Sequence, residues 1–398
     1  MKRLLHIIKK VPSYIIEIFY ILFFYKYAQW KYKKYNIWLI SERGNDARDN
    51  GMHLFKYIRT NYPEISIFYV IDANSTDIKN IKDYGNIIYS NTLKHRLYFY
   101  ASRVLISTHL MGGFTTNQGF YMHFNKAKWF RKSRKIVSIK HGITKDDLPI
   151  LYAEKAKLDL LIAGAKPEYD YMLKNFHYSN NNLKYTGFAR FDNLFEHSEK
   201  NQILIMPTWR FYLSDLSSAE FQKSDFFIKW NKVLNNTRLI TFLENNDLNI
   251  IFYPHYEIQK YIKEFSSKSK HIIIADLKHY DVQKLLKDSL LLITDFSSVY
   301  FDFAYMKKPI VYYHFDKDRF IIEHYNKGYF DYDTMGFGPV VNEEIQLINY
   351  IEYYAKNHFI VEEKYLNNTK LFFPLHDKNN CKRIFNEINN LLNSIDNI

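Results

Sequence analysis

Three histidines and an arginine stand where short apolar runs give way to polar residues. His141 and Gly142 follow residues 135–140, His109 follows residues 104–107, and His255 follows residues 249–253 and Pro254. Arg210 closes Pro207-Thr208-Trp209-Arg210, just after residues 202–206. An imidazole with an ordinary pKa of about 6.5 can take a proton from an attacking hydroxyl. That chemistry is open to His141, with Gly142 expected to let the backbone turn sharply, and His109 is similarly placed. His255 can donate to a phosphoryl oxygen or serve as a satisfied loop residue. Arg210 can fork onto a phosphate while Thr208 donates its hydroxyl; a surface arginine beside a core tryptophan fits the same letters.

Thr294-Asp295-Phe296-Ser297-Ser298 offers a second kind of anion site. Ser297 or Ser298 would cap the helix that follows, leaving backbone N–H groups and the positive end of the helix dipole for a phosphate. An ordinary cap fits equally well. A metal shared by His109 and His141 lacks any supporting carboxylate spacing. The sequence holds no Walker loop, dinucleotide-binding glycine fingerprint or nucleophile elbow.

Strand ends must hold these residues. Apolar runs at 36–41, 66–71, 87–89, 104–107, 135–140, 159–163, 202–206, 249–253, 271–274, 290–294 and 310–313 read as strands. Helical patterns fill 51–60, 93–102, 166–175, 226–246, 282–288, 298–306, 343–357 and 378–395. Strands alternating with helices predict parallel sheets with crossover helices, whose ligands bind beyond the carboxyl ends of the strands. The pattern restarts near residue 200, after the charged stretch 196–201. The expected architecture is α/β, with Rossmann-like domains over residues 35–198 and 199–398 facing a cleft.

Of 398 residues, 47% are hydrophobic and 18% aromatic, enough for a sizeable core. Only 12 glycines and 9 prolines argue against linkers and all-β designs. The net charge of +13 draws the chain toward anions. Its lysines are dispersed rather than gathered into a stripe with stacking aromatics, so nucleic acid is not an expected partner. A single cysteine, Cys381, excludes an internal disulfide and a Cys-based zinc site.

Residues 1–34 differ from the rest. Lys2, Arg3, Lys9 and Lys10 precede an apolar run over residues 11–25, broken by Glu17, and Lys26, Lys31, Lys33 and Lys34 follow it. The run is shorter than the ~20 residues of a spanning helix, and no small-residue cleavage site follows it. It suits a helix lying in the headgroup region of an anionic leaflet; a first helix packed on the protein's own core is the alternative.

Taken in order, His141-Gly142, Gly187-Phe188-Ala189-Arg190-Phe191-Asp192, Pro207-Thr208-Trp209-Arg210, Pro254-His255, the run from Thr294 to Ala304, and Lys308-Pro309 with the strand behind it are similar to one family. The chain resembles the CDP-glycerol glycerophosphotransferases, bacterial enzymes that build teichoic acids and related capsular polymers. The resemblance implies a GT-B fold at the cytoplasmic face of the membrane, peripherally bound, with the donor held mainly by the C-terminal domain. It implies His141 as general base and His255 as a second essential residue at the donor phosphates. Arg210, Ser297 and Ser298 fall where donor contacts are expected, with Asp295 adjacent; Thr208 is read with them from its place at the strand end, and His109 and Arg190 as acceptor or cleft residues. The implied donor is CDP-glycerol or CDP-ribitol, and the implied acceptor a polymer or lipid-linked primer. No cofactor is required, although Mg²⁺ is compatible with the sequence. Two blocks depart from the family pattern. His-Gly continues as Ile143-Thr144-Lys145 instead of Thr-Pro, and Gly187-Phe188-Ala189-Arg190 replaces Gly-Tyr-Pro-Arg, which predicts a less rigid loop. A GT-B glycosyltransferase using a sugar nucleotide, and a non-catalytic basic binding protein, are the alternative readings.

Overall fold

The computed structural model describes residues 2–110, 112–124, 131, 134–196, 198–323 and 326–396. Among the described residues two parallel sheets form. The first joins β1 (Trp38–Ser41), β2 (Ile67–Ile71), β3 (Ile87–Tyr89), β4 (Val104–Ser107), β5 (Lys135–Ser138), β6 (Leu160–Ala163) and β7 (Leu183–Tyr185), in the order β3-β2-β1-β4-β5-β6-β7. The second joins β8 (Gln202–Ile205), β9 (Asn249–Phe252), β10 (Ile272–Ile274), β11 (Leu291–Thr294), β12 (Ile310–Tyr313) and β13 (Val340–Val341), in the order β10-β9-β8-β11-β12-β13. Every residue of β1, β4, β6, β8, β11 and β12 is buried. With helices on both faces a parallel strand has no solvent side, which is why these segments read as largely apolar runs with polar residues only at their ends. Strand order reverses between β1 and β4 and between β8 and β11, and such a reversal opens a crevice at the carboxyl ends.

The chain divides into two compact units, and the division differs from the expected one. The first unit takes the residues up to His141, Pro149–Asp192 and everything from Asp377; the second takes Gly142–Leu148 and Asn193–His376. The charged stretch 196–201, after which the pattern restarts, is close to this boundary, and His197 within it lies outside the described residues. The C-terminal helix Asn380–Asp396 belongs to the first unit because Asp192 caps it, accepting from the N–H groups of Asn380 and Cys381 at 2.8 Å each. Phe385 then stacks on Tyr62, with ring centroids 4.0 Å apart. Gly187 permits the docking: its φ is +75°, and a Cβ there would lie 1.9 Å from Asn380 Oδ1.

Two expected helices are corrected by the structure. Residues 226–246 form two helices, Asp225–Leu234 and Thr237–Asn245, because Asn236 accepts from the Leu239 N–H at 3.1 Å and starts a new helix. The helix after β11 begins at Tyr300, not Ser298, and its N-cap position is Val299 with no side-chain cap. The short strands β7 and β13 and the helix Glu363–Phe372 were not expected; strands of two or three residues are too brief to show a period.

Helix α1 (Lys2–Tyr32) packs on α3 (Leu93–Ala101), with α2 (Asn50–Asn61) following β1. Glu17, the acid inside the apolar run, is buried. It pairs with Arg96 at 2.6 Å and accepts from Thr116 at 2.9 Å and Tyr121 at 3.2 Å. The opposite face leaves Ile15, Phe19, Leu22, Phe23 and Trp30 exposed, Leu22 at 72% and Trp30 at 79%. Helical spacing therefore separates a face committed to the unit from an apolar stripe open to the surroundings. Among the described residues no helix is long and apolar enough to cross a membrane. The side chains of Lys2, Arg3, Lys9 and Lys10 lie outside the described residues.

Candidate functional site

In the first unit the carboxyl ends of β4 and β5 bring His109 and His141 together. Their rings stack in parallel, with centroids 4.6 Å apart and planes 6° apart. Thr108 Oγ1 lies 2.8 Å from His109 Nδ1, and Arg43 Nε donates toward His109 Nε2 at 3.5 Å. The two contacts fix the neutral tautomer with its hydrogen on Nδ1. His141 keeps open surface at its edge. Even so, surrounding protein withholds water from a charged ring, and Arg43, Arg190 and Lys140 oppose the same charge. Together they depress its pKa to about 4 against a hydrogen bond to the Thr108 backbone that favours protonation. Desolvation first, then the neighbouring His141 and Arg43, hold His109 at about 3. Both imidazoles are therefore neutral at pH values near 7, and a neutral imidazole is the form that accepts a proton.

The sharp turn in front of His141 falls on Lys140, whose φ is +51°, and not on Gly142 as expected. A non-glycine residue there costs roughly 1–2 kcal/mol, so neighbours must hold it. The Lys140 ammonium is buried against Glu168, which also accepts from the Gly164 N–H at 2.7 Å. Arg190 donates through Nη1 to the His141 carbonyl and to Asp49 Oδ1, both at 2.9 Å. The expected loose loop at 187–190 is instead the entry to a 3₁₀ turn, Ala189–Asn193, tied down at both ends by Arg190 and Asp192.

Residues 42–50, between the expected strand 36–41 and the expected helix 51–60, hold what sequence reasoning missed. Buried Glu42 follows β1 and accepts from the N–H groups of Arg48 at 3.0 Å and of Asp49 and Met52 at 2.9 Å. Burial and then the charge of Asp49 raise its pKa to about 7, against the pull of those N–H groups. A carboxylate of the chain itself thus fills the anion position at the start of α2 that a Rossmann sheet usually offers a ligand. Applying the strand-end rule to β1 as to the other strands would have singled out Glu42 and Arg43.

The second unit places its polar strand ends at the crevice between β8 and β11. Here two expected donor contacts turn inward. Arg210 is completely buried, with Nε 2.7 Å from Asp316 Oδ2 and Nη2 2.9 Å from both Asp316 Oδ1 and Asp295 Oδ2. Burial works against its charge, yet Asp295 and Asp316 outweigh it and keep the guanidinium ionised above its usual range. Asp295 is equally buried; its Oδ1 accepts from the N–H groups of Thr208 at 2.8 Å and Phe296 at 2.6 Å. Arg210 and Asp295 are therefore the strut that joins the β8 and β11 ends, with neither turned to solvent.

Ser297 and Ser298 remain half-buried, but the cap expected of them is absent. The first N–H groups of the six-residue helix, those of Tyr300 and Phe301, bond to the Ser297 and Ser298 carbonyls at 3.4 and 3.2 Å. What these serines present is their hydroxyls. Gly142, part of this unit, passes close: a Cβ on it would lie 3.2 Å from Ser298 Oγ. His255 is anchored through its N–H to the Pro207 carbonyl at 3.0 Å, and its ring lies over Trp209. Nδ1 accepts from the Glu257 N–H at 3.4 Å, which puts the ring hydrogen on Nε2. Thr208 is half-buried beside it. Among the described residues no group of three His, Cys, Asp or Glu side chains is placed to hold a metal ion.

The sequence pattern of the CDP-glycerol:poly(glycerophosphate) glycerophosphotransferases matches residues 21–390. The chain belongs to this family. Within its reach stand GgaB, a minor teichoic acid biosynthesis protein of Bacillus subtilis, 36% identical over 369 residues, and a teichoic acid poly(glycerol phosphate) polymerase of Bacillus spizizenii, 31% identical over 153 residues. The first match covers 90% of this chain and 40% of GgaB; the second covers 38% of this chain and 36% of the polymerase. The region shared with this glycerophosphotransferase-family chain thus covers less than half the length of either relative. The solved wall teichoic acid polymerase TagF shares the fold, with a TM-score of 0.65 at 16% identity over 97% of this chain and 98% of that one. A Staphylococcus aureus MnaA–UDP structure shares it more distantly, at 0.56 and 13% identity over 90% and 96% of the two chains.

Proposed function

We propose that this chain transfers a polyol phosphate, glycerol phosphate foremost, from a CDP-activated donor to a hydroxyl of a teichoic-acid-like or capsular polymer or primer, releasing CMP. The observation that carries the reading is His141, a neutral imidazole held at a strand end in a chain of this family. In the reaction an acceptor oxygen bonds to the β-phosphorus, the bond from that phosphorus to the bridging oxygen breaks, and CMP departs with the electron pair. His141 takes the acceptor's proton, a contribution of typically ~10²–10⁴-fold for a positioned base.

Charge on the departing CMP falls to the second unit. Since Arg210 and Asp295 are committed to each other, the donor contacts are assigned to His255 through Nε2–H and to the hydroxyls of Thr208, Ser297 and Ser298. His109 and Arg190 serve the acceptor side by holding and shielding His141. No cofactor enters this reading. That TagF has been solved after soaking with CDPG is consistent with a CDP-glycerol donor.

The exposed apolar stripe of α1, with Lys26, Lys31, Lys33 and Lys34 exposed beside it, supports peripheral binding to an anionic leaflet. We place the protein on the cytoplasmic leaflet, the side that a nucleotide-activated donor can reach.

The test is CMP release by the purified protein with a primer and either CDP-glycerol, CDP-ribitol or a UDP-sugar, with and without EDTA. His141→Ala should abolish transfer while CDP-glycerol still binds. Consumption of the UDP-sugar alone would overturn the donor assignment, and near-normal turnover of His141→Ala would overturn the base.

A further inference from the structure

The left-handed turn at Lys140 decides where the His141 ring is delivered, and one side chain reaches it from another part of the unit. Asn50, the first residue of α2, is completely buried. Its Nδ2 donates to the Lys140 carbonyl at 2.7 Å and lies 3.5 Å from the Ile139 carbonyl. Its Oδ1 accepts from the Arg190 N–H at 3.1 Å. The amide is thus used at both ends and in one orientation only. Turned over, its NH₂ would face an N–H and its oxygen two carbonyls. A carboxylate would fail in the same way on the Lys140 side.

The two segments that Asn50 joins are the two that fix His141. One is the last turn of chain before the ring. The other carries Arg190, whose guanidinium holds the His141 carbonyl and is itself held by Asp49, the neighbour of Asn50. The Asn50 amide bonds to backbone groups, so its action on the reaction would pass through backbone.

We propose that Asn50 is a positioning residue for the transfer reaction: its amide locks the Lys140 turn to the Arg190 segment and thereby sets the direction in which His141 leaves β5. This rests on the reading of His141 as the base. Loss of the amide leaves a buried carbonyl and a buried N–H without their shared partner. The turn then relaxes and the ring drifts from its productive place while the donor-binding residues of the second unit are untouched.

A double-mutant cycle tests this, with turnover by CMP release and CDP-glycerol affinity measured for the native protein, Asn50→Ala, His141→Ala and the double variant. Asn50→Ala should lower kcat by about 10–100-fold, the cost of a base misplaced by about an ångström, with CDP-glycerol affinity unchanged. In the His141→Ala background the same substitution should cost nothing more, because coupled residues are non-additive. Equal losses in both backgrounds, or unchanged kcat in Asn50→Ala, overturn the proposal and leave the base reading standing. A fully active His141→Ala overturns the base reading whatever Asn50 does. Asn50→Asp decides independently should Asn50→Ala not fold or His141→Ala leave no measurable turnover. It should lower kcat and move the acid limb of the pH profile upward as His141 leaves its desolvated place and the fields of Arg43 and Arg190, and a native acid limb with native kcat refutes the proposal.

Discussion

Replacing Arg210 with methionine should unfold the second unit far more readily without touching a ligand contact. Methionine fills much of the arginine stem but carries no charge. It would remove the 2.7 and 2.9 Å contacts to Asp316 and the 2.9 Å contact to Asp295, leaving two buried carboxylates that no longer have their cation. Breaking a buried pair from one side costs about 3–5 kcal/mol, mostly the desolvation of what is left behind. For a unit of this size that is a fall in Tm of roughly 6–20 °C. The pH dependence has a definite sign. Burial already raises the pKa of Asp295, and Arg210 is the main influence lowering it again. Without Arg210 the folded-state value climbs further above the unfolded one. The added cost is then full at pH values above the folded pKa and fades as pH falls toward the unfolded value of about 3.9. Unfolding followed by the fluorescence of Trp209 and Trp230, near neutral pH and again near about pH 5, reads this directly. A variant within about 2 °C of native that has lost CDP-glycerol binding would refute the strut and restore Arg210 as a donor contact.

The remaining predictions concern His95 and α1. His95 is completely buried, with Nε2 2.8 Å from the Phe114 carbonyl and Nδ1 accepting from the Asn91 N–H at 3.1 Å. Burial depresses its pKa from 6.5 to about 4. The unfolded chain therefore takes up the proton first, and up to about 3 kcal/mol of stability should be lost as pH falls from 6.5 to about 4. Urea unfolding of His95→Gln should show a flatter pH profile than native over that window; parallel profiles would sink the argument. On α1, burying a Leu or Phe side chain is worth ~1.5–3 kcal/mol each. Leu22→Glu with Phe23→Glu should therefore weaken binding to anionic vesicles by about two orders of magnitude or more while leaving Tm unchanged, and undiminished sedimentation with vesicles would count against an interfacial helix.

Much of the fold was legible in the sequence because it depends on local patterns. Val104–Ser107 and Leu291–Thr294 are buried throughout and apolar up to their last residue, since a parallel strand covered on both faces has no solvent side. Where such a run ends, the chain must leave the sheet, so polar residues at 109, 141, 208, 255, 295, 297 and 298 could be placed at carboxyl ends without knowing the strand order. The apolar stripe and flanking lysines of residues 11–34 were equally visible.

Which way a polar side chain faces was decided only in three dimensions. Arg210 reads as a phosphate fork until Asp316, 106 positions on, closes over it with Asp295. Ser297 and Ser298 read as caps until the helix starts at Tyr300 and uses their carbonyls instead. Glu17 looked like a flaw in an apolar run, but pairing with Arg96, 79 positions away, turns it into the contact that selects which face of α1 stays open. Asn50 gave no signal, because its meaning lies in Lys140 and Arg190, 90 and 140 positions distant. Strand and helix formation depend on neighbours within a turn or two, so spacing records them. Ion pairs and buried amides depend on partners that only the packed sheets bring within 3 Å, so local spacing cannot record them.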